Sequence, residues 1–252
     1  KIRQLRNNST MISRFFCPQP LAPDSLVELP AAASHHALRV LRLDVGDAVT
    51  LFNGEGGEYA GRIAGTGRGV RVRLGEWQSV ERESPLELVL AQALPAGDKM
   101  DWVVQKAVEL GVARIQPLLA ARSVVRLSGE RAVKRVAHWR SVAASACEQC
   151  GRNRVPEIAP LLDLRQWLGR LPPENPLQRL LLAPQGGCRP RALAGKGGFL
   201  LLVGPEGGLS DEEASTAGLA GFAALSLGPR ILRTETAGPA ALAALGACCG
   251  DI

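Results

Sequence analysis

Three glycine-bearing stretches in the C-terminal half hold the residue types from which a small-ligand site could be built. They are Leu182-Ala183-Pro184-Gln185-Gly186-Gly187, Val203-Gly204-Pro205-Glu206-Gly207-Gly208 and Leu227-Gly228-Pro229-Arg230-Ile231-Leu232-Arg233-Thr234-Glu235-Thr236-Ala237. Glycine carries no side chain, so a ligand can lie against bare amides and carbonyls. The second stretch runs into Ser210-Asp211-Glu212-Glu213, where Ser210 is placed to cap a helix with an acidic first turn. Acidic residues that close would repel a phosphate. No G-x-G-x-x-G follows a strand at a βα turn and no G-x-x-x-x-G-K-S/T occurs, which disfavours dinucleotide-binding and P-loop chemistry. What remains is a glycine-lined pocket suited to a neutral, partly apolar ligand such as an adenine and a sulfonium.

Arg230 and Arg233 lie in the third stretch. A guanidinium stays charged and offers paired donors, which suits it to stabilising an anion that develops on a reacting ligand. Pairing with Glu235 or Glu206 is the alternative employment for Arg233. Glu206 could orient a ligand, accept a proton or cap backbone amides. Cys147-Glu148-Gln149-Cys150 has the spacing of a metal or redox pair, with His138 nearby, but Cys188 and Cys248-Cys249 supply no second pair at zinc-ligand spacing. The cysteines therefore read as reduced thiols, and no metal is expected.

These loops need elements to position them. Apolar runs at 86–94, 112–119, 177–184, 199–204 and 223–227 read as strands, and 100–110 and 132–150 have helical spacing. A closing helix is expected to begin at Gly238-Pro239, with the proline in its first turn. Strands this apolar, alternating with helices, imply an α/β domain with a parallel sheet covered on both faces, and chemistry beyond the strands' carboxyl ends. The N-terminal part differs: strands at 48–52, 59–63 and 70–74, with Asn53-Gly54 as a tight hairpin turn, predict a small β-barrel or sandwich. A short helix at 34–42, capped by Ser34, would present arginines to solvent. A polar stretch at 79–85 marks the boundary, giving domains at 11–82 and 83–252. Residues 1–10 are polar and basic and read as a tag or upstream extension.

Of 252 residues, 46% are hydrophobic and 21% charged, which excludes a disordered or fibrous chain. No window approaches the roughly 18–20 apolar residues of a membrane span. With no apolar leader, a cytoplasmic protein is expected. The net charge of +6 favours a polyanionic partner.

The tracts Leu201 to Ser210 and Leu225 to Ala237 resemble the two C-terminal signatures of the RsmE family of SPOUT methyltransferases. Residues 91–101, 105–111 and 148–152 resemble its middle signatures, and 36–57 its N-terminal module. The resemblance implies a PUA-like RNA-binding barrel followed by a SPOUT domain with a deep trefoil knot. It also implies a homodimer, S-adenosyl-L-methionine as cofactor, and methyl transfer to N3 of a uridine in 16S ribosomal RNA of the small subunit. On this footing the cofactor residues are Leu182, Ala183 and Pro184 from the first stretch, and Val203, Gly204, Pro205, Glu206, Gly207 and Gly208 from the second. The third contributes Leu227, Gly228, Ile231, Leu232, Arg233, Thr236 and Ala237. Gly207 is expected at positive φ. Arg233, Arg230 and Glu206 are the candidates for catalysis, and Arg14, Arg39, Arg42 and Lys99 for RNA docking. The four tryptophans, Trp77, Trp102, Trp139 and Trp167, are expected as core anchors. Rival readings are a knotted methyltransferase acting on transfer RNA and a non-catalytic RNA-binding assembly protein.

Overall fold

A computed structural model describes residues 12–184, 186–194, 197–250 and 252; the expected N-terminal extension at 1–10 lies outside them. The chain forms two compact units. One comprises the residues up to Arg82 together with Gly151–Arg154, and the other Glu83–Cys150 with Val155–Ile252.

Unit 1 holds strands β1 (Ser13–Phe16), β2 (Leu26–Glu28), β3 (Ala48–Phe52), β4 (Glu58–Gly65) and β5 (Arg71–Gln78), in the sheet order β1-β3-β4-β5-β2. Inward residues alternate with outward ones, so Phe15, Val49, Leu51, Ile63, Val72 and Leu74 form one apolar core. The β3–β4 connection is a hairpin, but a five-residue one. Asn53 Oδ1 accepts the Glu55 amide at 3.1 Å, and the positive φ falls on Gly54, Gly56 and Gly57, not on Asn53.

The short helix also departs from expectation. It starts earlier, as α1 (Ala31–His35), and continues into a π-helical turn at His36–Val40. Ser34 does not cap it. The side chain is buried, donating to the Leu29 carbonyl and accepting the Val70 amide, both at 3.1 Å, and so serves the core.

Gly151–Arg154 belongs to unit 1 through polar contacts that a continuous second domain at 83–252 did not anticipate. Asn153 donates to the Val80 carbonyl at 2.7 Å and to Glu58 at 3.0 Å, and Arg82 donates to the Gly151 carbonyl at 2.9 Å.

Unit 2 contains β6 (Glu87–Ala93), α2 (Lys99–Glu109), β7 (Arg114–Leu119), α3 (Gly129–Cys150), β8 (Glu157–Ile158), β9 (Leu162–Asp163) and α4 (Leu164–Leu168). It continues with β10 (Gln178–Leu182), a 3-10 turn at Pro190–Leu193, β11 (Gly198–Val203), α5 (Asp211–Leu219), β12 (Ala223–Leu225) and α6 (Thr234–Cys249). The sheet order is β12-β10-β11-β6-β7-β8, with β9 also on β7, and every pairing among the described residues is parallel. All of β11 is buried, as a central strand covered on both faces requires. Helix α2 buries Met100, Val103, Val104, Ala107 and Val108, one stripe at helical spacing, and packs on α3 and α6.

Ser210 caps α5 as expected: its Oγ accepts the Glu213 amide while Glu213 accepts the Ser210 amide at 2.8 Å. Helix α6 begins at Thr234, so Pro239 lies inside it, beyond the first turn, and leaves the Glu235 carbonyl without its helical donor. Gly238 beside it sits so close to β6 that a Cβ would stand 3.1 Å from Gln92 Oε1 and 3.2 Å from Leu90.

Two tryptophans, Trp139 and Trp167, are buried, whereas Trp77 and Trp102 are about half exposed. No helix among the described residues is long and apolar enough to cross a membrane, and no group of three or more His, Cys, Asp or Glu could hold a metal ion.

Candidate functional site

Because β12, β10 and β11 are parallel neighbours, their carboxyl ends bring the three glycine stretches to one edge of the sheet. There they line a cavity of about 710 Å³, within the roughly 300–1,000 Å³ range of small-ligand pockets. Leu182, Ala183 and Pro184 contribute from the first stretch, and Val203, Gly204, Pro205, Glu206, Gly207 and Gly208 from the second. The third supplies Leu227, Gly228, Arg230, Ile231, Leu232, Arg233 and Ala237. Thr236 is not on the wall but exposed on α6. The threonine that faces inward is Thr234, two residues earlier, because each helical residue turns the side chain by about 100°. Its hydroxyl donates to the Gly204 carbonyl at 2.5 Å and accepts from Gln92 at 3.1 Å, fixing the start of α6 to the loop after β11. A second cavity, of about 720 Å³, opens where β10 and β12 begin, and none of the second or third stretch reaches it.

The backbone of the second stretch departs from expectation in one detail. The positive φ is at Gly208 (+67°), with open space around it, and not at Gly207. At Gly207 the constraint is a close neighbour instead, since a Cβ there would stand 3.1 Å from Arg122 Cβ, a tight contact. Arg122, a residue that no sequence pattern singled out, donates to the carbonyls of Gly207 at 3.2 Å and Leu209 at 3.0 Å.

At the rim the charged residues sort themselves around Lys99. Its ammonium is 3.0 Å from Glu235 and 3.7 Å from Glu206, and Glu206 also accepts the Ala96 amide at 2.9 Å. Of the roles open to Glu206, binding a backbone amide is the one on view. Burial would push the Glu235 carboxyl up, but its own backbone amide, Lys99 and the charge of Arg233 together hold it below the ordinary glutamate range. With both carboxylates on Lys99, the exposed Arg233 makes no side-chain hydrogen bond or ion pair among the described residues. Arg230 is likewise exposed and unpaired among them.

Comparison with known proteins matches residues 82–246 to an RNA methyltransferase domain and residues 29–74 to an RNA methyltransferase PUA domain. The chain is 34% identical over 222 residues to the ribosomal RNA small subunit methyltransferase E of Bacillus subtilis, covering 84% of this chain and 86% of that one. It belongs to the ribosomal RNA small subunit methyltransferase E family. A family structure from Neisseria gonorrhoeae, bound to S-adenosyl methionine, superposes with a TM-score of 0.88 at 37% identity over 96% of this chain and all of that one. A methyltransferase from Legionella pneumophila in complex with the same cofactor gives 0.90 at 39%, with the same coverage.

As a member of this family the chain carries its RNA methyltransferase PUA match in unit 1, where Arg39 and Arg42 are exposed and without ion pairs among the described residues. Arg14 and Lys99 are placed otherwise. Arg14 is turned inward, its side chain only 13% exposed, and donates to Glu58, to Asn153 and to the Arg152 carbonyl. Lys99 is a cavity residue of unit 2 held between two glutamates. Neither residue is free to meet a phosphate as these two exposed arginines are.

Proposed function

We propose that this protein is an S-adenosylmethionine-dependent methyltransferase that modifies N3 of a specific uridine in 16S ribosomal RNA of the small subunit. The observation that carries the reading is the cavity that three glycine loops close at the carboxyl ends of β12, β10 and β11, in a chain of this family. Its residues fit the cofactor: bare backbone and apolar side chains for an adenosyl group, and no phosphate-binding loop among the described residues. When bound, the cofactor supplies an already electrophilic methyl group, so the protein has to align it and make the nucleophile reactive. Leu182 to Pro184, Val203 to Gly208, and Leu227, Gly228, Ile231, Leu232 and Ala237 would hold it. Glu206 and Lys99 fix the second loop against the turn before α2.

Uridine N3 carries a proton, and as that proton passes to solvent, negative charge grows on the two ring carbonyl oxygens. Arg233 stabilises that charge. Its guanidinium makes no hydrogen bond or ion pair with Glu206 or Glu235, although its charge acts on Glu235, and this leaves its donors available for the role. Arg230 stands on the same loop as the second cation. Exposed Arg39 and Arg42 contribute to RNA docking.

The strand order, with α6 returning against β6 and β11 after the chain has reached the edge strand β12, supports a trefoil-knotted path. The family resemblance supports a homodimer, and the absence of a membrane-crossing helix among the described residues is compatible with work in the cytoplasm. The test is transfer of labelled methyl from S-adenosylmethionine to small-subunit RNA, followed by mass spectrometry of the modified nucleotide. The expected product is a single N3-methyluridine. Methylation of transfer RNA alone, or a methyl on ribose, would refute the reading.

A further inference from the structure

The outer face of the unit 1 sheet carries cations that neither the cavity nor the helical turn uses. From Gly61 to Gly75 the sequence has four arginines, Arg62, Arg68, Arg71 and Arg73, five glycines and no acidic residue. Strand alternation sends Ile63, Val72 and Leu74 into the core and leaves Arg62, Arg71 and Arg73 outside. The register then sets Arg62 directly opposite Arg73 on β4 and β5. Arg71 faces Glu28 on β2, but Arg73 faces Leu26 there, and Arg62 faces Ala48 on β3. A row Ala48, Arg62, Arg73, Leu26 thus crosses four strands with two cations side by side and no carboxylate.

Like charges directly opposite each other destabilise a sheet. Each guanidinium relieves this by leaning outward to one carbonyl, Arg62 to Gly46 at 3.0 Å and Arg73 to Asp24 at 3.1 Å. Neither forms an ion pair among the described residues, so most of their donors point to solvent. The two carbonyls lie toward opposite flanks of the sheet, two to three strand spacings apart, roughly 10–14 Å. One anion could not satisfy both.

We propose that this face is a contact surface for an RNA backbone, with Arg62 and Arg73 each taking a separate phosphate. The inference rests on the RNA substrate proposed above and adds where that RNA lies. Charge complementarity selects the partner: guanidinium donors match phosphate oxygens, and a polyanion removes the repulsion that the bare face retains. Ala48 and Ala60, on the same face as Arg62, carry side chains too short to cover the two guanidiniums.

The test is the full chain with Arg62→Gln and Arg73→Gln together, titrated against a small-subunit RNA fragment and against assembled small subunits at several salt concentrations. The plot of log affinity against log salt should become shallower by about 1.4–1.8 units, since each of the two phosphate contacts contributes roughly 0.7–0.9. S-adenosylmethionine affinity and the melting temperature should not fall, because the change removes like-charge repulsion. An unchanged slope would overturn the proposal. So would weakened binding to assembled subunits with naked RNA unaffected, which would mean that the face meets a ribosomal protein. If the unsubstituted chain binds the cofactor but no ribosomal RNA, the proposed substrate fails and the face fails with it.

Discussion

In unit 1 one carboxylate, Glu58, is shared by two arginines; in unit 2 one ammonium, Lys99, is shared by two carboxylates. The first cluster is closed. Glu58 is 10% exposed and meets Arg14, Arg82 and Asn153, so its carboxylate finds its partners within the fold. The second sits at the mouth of a cavity, and its arrangement leaves two arginines of the same wall unpaired among the described residues. The difference shows that residue type does not mark a functional cation. A sequence can list charges, but only the geometry tells which have already found a counter-charge.

The contrast is broken or sharpened most strongly at Arg233. Arg233→Ala should lower single-turnover methyl transfer by roughly two to three orders of magnitude, as loss of one preorganised donor does elsewhere. S-adenosylmethionine and RNA affinities should hold, since the proposed role places the guanidinium where charge develops during the reaction. Arg233→Lys should restore part of the rate, keeping the charge without the planar fork. A normal rate in the alanine variant would pass the role to Arg230.

Next in size is the closed cluster. Glu58→Gln should cost unit 1 about 1.5–3 kcal/mol in denaturant unfolding, the usual worth of hydrogen bonds to charged groups, and leave cofactor affinity alone. The pH dependence should change with it. Burial pushes the Glu58 carboxyl up, but hydrogen bonds from Arg14 and Asn153 and the charges of Arg14 and Arg82 outweigh it, so the folded value is depressed. Its stabilisation is then complete above the ordinary glutamate value of about 4.3 and is lost as pH falls through the lower folded value. The unsubstituted protein should therefore lose stability in acid more steeply than the glutamine variant. Parallel acid curves would show that the cluster is not what closes unit 1.

The smallest effect is expected at Lys99, a partly exposed cation whose pairs are screened. Lys99→Met should weaken S-adenosylmethionine by roughly two- to fivefold, the range of exposed ion pairs. The methyl-transfer rate should fall by more than the affinity, because Glu235 becomes available to Arg233. Adding Glu235→Gln to Lys99→Met should recover rate; if it does not, Lys99 is not what keeps Arg233 unpaired.

Much of unit 2 is legible in the sequence because a parallel sheet writes itself as apolar runs, and β11, buried at every position, is the clearest of them. The glycine loops are legible for the same reason that they work: their lack of side chains is visible. What resists reading is whatever one residue of rotation or a distant partner decides. Thr234 and Thr236 look equivalent until the first turn of α6 points one inward. Ser34 looks like a cap until its hydroxyl is found between Leu29 and Val70. Arg62 and Arg73 are unremarkable arginines until the β4–β5 register sets them face to face, and Arg122 joins the second loop from 85 residues away in sequence. Pro239 misleads because its local preference, a helix start, yields to contacts made elsewhere.

The return of Gly151–Arg154 to unit 1 has a consequence for the order in which the protein can be made. Residues 12–82 leave a ribosome first, but the group that donates to both Val80 and Glu58, Asn153, is synthesised roughly 70 residues later. At about 5–20 residues per second, that is a delay of several seconds. During it Glu58 has its arginines but not its amide, and Val80 lacks its donor. The first unit is therefore finished by a piece of chain that arrives only after α3, and a gene cut at the apparent boundary after Arg82 would encode a barrel permanently held at that unfinished stage.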